Sequence, residues 1–391
     1  MERDKELIIR SFEYDPFDVA VAFKTVVDKE FGSDPFIGAK TKWWHVRGPV
    51  PFTSVRTGPN LTVKVVVGEF EVRQLGFFSI QESVIQAVVG KTDSQRVERF
   101  LDEVERKLKS ASIYKGKFVT FTERGPEFHN IENVDFSKLI YNPRVERELN
   151  EHLLVLIEKT AECKADGLLI QRKVLFEGRF GTGKTMALLL TIKKALENGL
   201  TVFYLNPTVQ NVAAAIPPML KLSKKYSPAL LAIEDFDREQ EGYGDRSSTT
   251  QKIMTAIDGV LSKDAETIIV LTTNFGNKIK GGFKRPGRID KVINFDIFDI
   301  DDAKKLLRTA IAQDLLSPSI DWEKVGSACS HMAPAFIRGI SDTAKLAARS
   351  RAKTGEKPLI TENILLDAIE GLQAQHKACE DEMQMGFSQN R

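Results

Sequence analysis

Residues 173–191 read KVLFEGRFGTGKTMALLLT. An apolar strand-like run, KVLFE, leads into an eight-residue loop at 178–185, and an apolar helical run beginning MALLLT follows. The loop, GRFGTGKT, fits the pattern G-x-x-x-x-G-K-[ST], in the strand–loop–helix setting that gives this pattern meaning. Glycines let backbone N–H groups curl around a phosphate, and the helix N-terminus behind them adds its positive end. Lys184 is placed to reach β- and γ-phosphates, and Thr185 offers a hydroxyl to Mg²⁺. With glycine at about 7% of residues, a chance match in a chain this long is on the order of one in a hundred. The stretch therefore predicts a phosphate-binding loop made of Gly178, Gly181, Thr182, Gly183, Lys184, Thr185 and Met186. Arg179 and Phe180 fill its variable positions.

The chain around this loop alternates strand and helix. Upstream, IYNPRVERELNEHLLVLIEKT predicts a helix capped by Asn142, with Pro143 at its first position and Val145, Leu149, Leu153 and Leu156 on one face. Downstream come TVFYL, a helical stretch interrupted by Pro217 and Pro218, the strand ALLAI, a helix from about Ser248, and TIIVLTTN. Short apolar strands alternating with helices predict a parallel sheet covered on both faces. From about Asp299 the pattern is helical to the end.

About fifty residues after the loop, residues 230–237 read LLAIEDFD. A buried strand ending in two adjacent carboxylates is costly unless a cation sits there. Glu234 and Asp235 are thus candidates for a metal and water site. Asp237 reads as a structural cap or ion-pair partner.

Residues 1–138 have another texture. Strand-like segments such as NLTVKVVVGEFEVRQLGFFSI flank SQRVERFLDEVERKLKS, where Val97, Phe100, Leu101, Val104 and Leu108 share a helical face. This predicts a small α+β domain without a catalytic motif. For Trp43, Trp44 and His45, burial habits favour packing over partner binding.

The bulk numbers set limits. The 56 basic and 54 acidic residues nearly cancel, a balance that lends no support to a nucleic-acid partner. Cys163, Cys329 and Cys379 are far apart, odd in number and not at zinc spacing, which implies a reducing compartment. The opening MERDKELIIR has no signal-peptide core, and no run of about 18 apolar residues occurs. A cytoplasmic location with no transmembrane segment is expected.

From about 139 to 375 the chain resembles the AAA+ ATPases, and within them the AAA clade. GRFGTGKT resembles Walker A and PALLAIEDFD resembles Walker B. STTQKIMTAIDGV resembles the helix ending in the clade's Asp-Gly pair, here Asp258-Gly259. Asn274 falls on the sensor-1 position, and FKRPGRIDK puts Arg285 and Arg288 on the arginine-finger positions. The mitochondrial subtype that matures respiratory complex III, whose strand motif also reads Glu-Asp, is the nearest likeness, although this chain shows no membrane anchor.

The resemblance implies an α/β P-loop NTPase fold with a C-terminal helical lid. Its boundaries are 1–138 for the N-terminal domain, 139–298 for the ATPase subdomain, 299–376 for the lid and 377–391 for a tail. It implies ATP and Mg²⁺, with Thr185 and Glu234 as the metal ligands, or Asp235 in place of Glu234 if the strand ends one residue later. It also implies catalytic roles for Glu234, Asp235, Asn274, Arg285 and Arg288, and self-association into a ring. Six subunits are expected, with seven as the alternative, and a protein client would be met through the N-terminal domain.

Three departures stand beside it. Family members commonly end the strand Asp-Glu, and here the acids are exchanged. The pore-loop position falls on Thr208, Val209 and Gln210, which include no aromatic. The lid's Gly-Ala-Asp turn is replaced by Pro334, Ala335 and Phe336, with Arg338 nearby reading as a surface residue. The expected function is an ATP-driven remodeller of proteins. The alternatives are an ATP-held scaffold with slow or no turnover and a DNA-directed loader. A GTPase is disfavoured because NKIK at 277–280 lacks the Asp that reads guanine, and a small-molecule kinase leaves the paired arginines unexplained.

Overall fold

The computed structural model describes residues 5–32, 35–38, 52–73, 76–122, 125–137, 139–205, 212–236, 257, 266–274 and 287–373. The segments holding Trp43, Trp44, His45, Thr208, Val209, Gln210, Asp237, Asp258, Gly259 and Arg285 lie outside these residues, as does the helix expected near Ser248. By contact density the chain divides into two compact units. One comprises 1–130, 195–232 and 256–267, the other 131–194, 233–255 and 268–391.

In the first unit, β1 (Lys5–Ser11), β2 (Phe36–Gly38), β5 (Gly68–Val72), β6 (Gly76–Gln81) and β7 (Val84–Gly90) form an antiparallel sheet ordered β1-β7-β6-β5-β2. A separate hairpin joins β3 (Phe52–Gly58) to β4 (Leu61–Val66). The helices Pro16–Phe31 and Ser94–Ala111 contribute to the core shared with the sheet. Val97, Phe100, Leu101, Val104 and Leu108 are all buried there, as their helical spacing predicts. Phe23 sits edge-on to both Phe70 and Phe100.

The larger, mostly parallel sheet has seven strands. They are β8 (Phe118–Thr122), β9 (Gly125–His129), β10 (Arg172–Gly178), β11 (Thr201–Leu205), β12 (Ala229–Ile233), β13 (Thr267–Thr273) and β14 (Lys291–Phe295), in the order β14-β10-β13-β12-β11-β8-β9. Strand β10 pairs in parallel with both β13 and β14, β11 pairs in parallel with β8, and the β8–β9 hairpin is antiparallel. Every residue of β12 and of β13 is buried, the signature of strands covered on both faces. Helices Lys184–Glu197 and Val212–Lys225 follow β10 and β11. Pro217 and Pro218 lie inside the second of these, where the sequence had suggested an interruption. They remove two helical hydrogen bonds, but burial of Ile216 and Leu220 holds the helix together.

In the second unit, Asn142 caps the helix that begins at Pro143, accepting from the N–H of Arg144 at 3.0 Å. The lid consists of helices Ile300–Ala310, Trp322–Ala328 and Pro334–Arg351, together with a further helix from residue 362. Leu307, Val325, Ile337, Ile340 and Leu365 form its core. The Asn142 amide also donates to Asp302 Oδ2 at 2.9 Å, which ties the capped helix to the lid.

The first unit contains a buried polar cluster. Asp18 Oδ2 accepts from the Tyr226 hydroxyl at 3.0 Å, and Asp18 Oδ1 accepts from the N–H of Ile113 at 3.0 Å. Tyr114 donates to Asp15 Oδ1 at 2.6 Å. Burial pushes the Asp18 carboxyl up from 3.8 to about 6 despite these bonds. A raised carboxyl pKa means that its stabilisation is fully present below the unfolded value and is lost as pH rises through the folded one. Between pH 4 and 7, therefore, Asp18 should withdraw about 2 kcal/mol from the folded state. Urea denaturation across that range should show wild-type stability falling more steeply than that of Asp18→Asn, and equal slopes would refute the assignment.

Candidate nucleotide site

The carboxyl ends of β10, β12 and β13 carry the polar residues that the sequence singles out. Gly178 closes β10, and a Cβ built there would lie 2.2 Å from the Phe295 carbonyl oxygen of β14, so only glycine fits. Thr182 donates to the Arg179 carbonyl at 2.7 Å and holds the loop closed on itself. Gly183 has φ +97°, in the left-handed region, and a Cβ built there would lie 3.3 Å from the Tyr141 ring. Lys184 is buried, and its ammonium donates to the Gly178 and Arg179 carbonyls at 2.8 and 2.7 Å.

The two acids part company at the end of β12. Glu234 turns toward the loop and accepts a hydrogen bond from Thr185 Oγ1 at 2.5 Å. Asp235 has a different partner: its Oδ1 accepts from Asn274 Nδ2 at 2.9 Å. The strand therefore ends at Ile233, not one residue later.

A cavity of about 520 Å³ opens over this floor. Its lining includes Gly181, Thr182, Gly183, Lys184, Thr185, Met186, Asp235 and Asn274. That volume lies in the range of small-molecule pockets. The structure thus brings the predicted loop together with Asp235 and Asn274, and places Glu234 beside Thr185.

Arg288 is elsewhere. Its neighbours Gly287 and Asp290 bond to Lys173 at the start of β10: Lys173 Nζ donates to the Gly287 carbonyl at 2.6 Å, and Asp290 N–H donates to the Lys173 carbonyl at 2.8 Å. The five strand residues from there to Gly178 span roughly 17 Å at the usual rise. Arg288 therefore lies at the opposite edge of the sheet from the loop of its own chain.

Several lining residues escape a sequence reading. Asp135, Leu139 and Tyr141 come from the segment before the capped helix, and Leu306, Pro334, Ala335 and Arg338 come from the lid. Arg338 is exposed, as its sequence suggests, yet it lines the cavity from the same helix face as Ala335, three residues earlier. Burial raises the Tyr141 phenol pKa, so the hydroxyl facing the Gly183 carbonyl stays neutral. The Ala335 N–H donates to the Gly181 carbonyl at 3.0 Å, a direct main-chain link from lid to loop.

Residues 174–297 match the ATPase family associated with various cellular activities (AAA). This stretch is an AAA ATPase domain. Similar curated proteins are ATP-dependent zinc metalloproteases. They include chloroplastic FTSH from Nicotiana tabacum, 26% identical over 271 residues that cover 66% of this chain and 35% of that protein. FtsH of Nitrosococcus oceani is 25% identical over 244 residues, covering 59% and 36%. FtsH 3 of Petrotoga mobilis is 28% identical over 218 residues, covering 52% and 33%. The chain thus spans about a third of the length of these relatives. The likeness reaches the AAA superfamily, not the complex-III-type subtype. No helix among the described residues is long and apolar enough to cross a membrane.

The fit at Gly178 yields a direct test. Gly178→Ala must push β10 away from β14 and distort the loop, an overpacking cost of about 1–3 kcal/mol or more. Thermal unfolding should register the loss, and a fluorescent ATP analogue should bind markedly more weakly. Unchanged binding would show that the Phe295 contact does not shape the loop.

Proposed function

We propose that this chain is a Mg²⁺-dependent ATPase that works as a ring and couples hydrolysis to the remodelling of proteins or protein complexes. The observation that carries the reading is the convergence, beside one glycine-rich loop, of Thr185 with Glu234 and of Asn274 with Asp235. The residues present fit the ligands. Glycine-rich backbone and a buried ammonium suit phosphates, and the hydroxyl and carboxylate oxygens of Thr185 and Glu234 suit a hard cation. Bound Mg²⁺–ATP supplies a terminal phosphoryl group open to attack by water.

Each side chain then has one task. Lys184 exchanges its loop carbonyls for phosphate oxygens. Thr185 and Glu234 hold the metal. Asp235 takes a proton from the attacking water, which asks for contact within about 3 Å or through a second water. Asn274 orients that water or the γ-phosphate and fixes Asp235. In this reading Arg288, remote from the loop of its own chain, serves a neighbouring copy's nucleotide, and Arg285 shares that role by sequence. A site completed between copies supports a closed ring, six-membered in this reading with seven as the alternative. The relatives' description as ATP-dependent proteases supports a protein client, met through residues 1–138.

A second reading keeps the ring and drops the turnover. In it the bond from Asn274 parks Asp235, and ATP serves to hold a scaffold together.

Mg²⁺-dependent ATP hydrolysis, measured across a protein concentration series, separates the two. The remodeller reading expects a specific rate that rises with assembly. It also expects collapse in Lys184→Ala and Asp235→Asn, and a loss on the order of 10³-fold in Arg288→Ala. Tight ATP binding with no turnover, indifferent to Asp235→Asn, would instead leave the scaffold.

A further inference from the structure

Asp235 has φ +41°, one of three non-glycine residues in the left-handed region among those described. Asp and Asn enter that region at lower cost than other side-chain-bearing residues, because a short polar side chain can bond locally. Such an outlier persists only where its surroundings over-determine it. Here they do, and they converge on one residue.

Thr272 is buried near the end of β13, and its Oγ1 accepts the N–H of Asp235 at 2.9 Å. Its carbonyl accepts the next N–H, from Phe236, at 3.2 Å. Thr272 Oγ1 also lies 3.5 Å from Asp235 Oδ1, the oxygen that Asn274 holds from two residues further on. The Phe236 ring is fully buried and pins the far side of the turn. A threonine hydroxyl in this strand is not engaged by default, since Thr267 Oγ1 at its other end is buried without a hydrogen-bond partner.

We propose that Thr272 is the positioning residue for Asp235, and that the Glu234-Asp235 order follows from the turn Thr272 holds. The left-handed position takes the shorter acid. Glu234, one residue past the end of β12, keeps the longer reach with which it meets Thr185 of the loop. The exchange is thereby matched to the backbone, and the site loses nothing by it. This inference rests on the reading of Asp235 as the group that polarises water.

The test uses the full-length protein in steady-state ATPase assays, with affinity for a non-hydrolysable ATP analogue measured in parallel. Thr272→Val keeps the shape and removes the acceptor. It should lower kcat about tenfold to hundredfold, as a misplaced catalytic group does, while KM and analogue affinity stay put. Thr272→Ser should restore most of the rate. The double exchange Glu234→Asp/Asp235→Glu, which writes the acids in the commoner order, should lower kcat as well. An inactive Asp235→Asn beside a Thr272→Val variant of wild-type rate would overturn this inference and spare the role of Asp235. A wild-type rate in Asp235→Asn would overturn that role itself. Loss of analogue affinity and thermal stability in Thr272→Val without rescue by serine would reduce Thr272 to a packing residue and also overturn the proposal.

Discussion

Burial of the central strands on both faces governs the site. Residues within β12 and β13 have no route to water, so polar chemistry concentrates where those strands end. In a parallel arrangement the carboxyl ends lie along one edge, and loop closure there brings together residues far apart in sequence. Gly178, Glu234, Asp235 and Asn274 each stand within two residues of a strand end at that edge. The site is therefore less a set of independent acquisitions than the polar margin of an apolar sheet.

The same rule explains which acid faces which way. Side chains along a strand alternate between faces, so two adjacent carboxylates on a continuing strand would part by direction alone. At β12 the separation is sharpened by the turn that begins directly after Ile233. Glu234 reaches the helix-forming end of the phosphate loop, and Asp235 reaches β13. Two like charges next to each other in sequence are thus given different partners, which lowers the cost of keeping both near a low-dielectric interior.

Much of this was legible in the sequence, for physical reasons that also mark its limits. The phosphate loop is local: its strand, glycines and helix are contiguous, so the pattern carries the geometry. The helical faces at 97–108 and 145–156 are equally local and are buried as their spacing predicts. The parallel sheet followed from the alternation of elements. Long-range contacts were not legible. Nothing in KGKFVTFTE says that β8 pairs with β11, or that Tyr226 will find Asp18 across more than two hundred residues. Tyr141 and Arg338 look unremarkable in sequence because their place in the cavity is decided by the capped helix and the lid. Thr272 reads as one more β-branched strand residue until the turn opposite it is seen.

The lid meets the phosphate loop through a main-chain hydrogen bond. The helix Pro334–Arg351 opens with Pro334, Ala335 and Phe336. A helix leaves its first N–H groups without intrahelical partners, and Ala333 supplies no side-chain cap to this one. Pro334, at the first helical position, has no N–H to offer. Ala335 is therefore the first residue of the helix with a donor, and the Gly181 carbonyl takes it. Only main-chain atoms form this link, so it constrains residue type weakly and leaves little trace in a motif. It also joins the lid to the loop whose neighbouring carbonyls, at Gly178 and Arg179, hold Lys184. Under the proposed function, phosphate oxygens that draw Lys184 off those carbonyls act on a loop already tied to the lid at Gly181, so that reading makes nucleotide occupancy and lid placement share one short stretch of backbone.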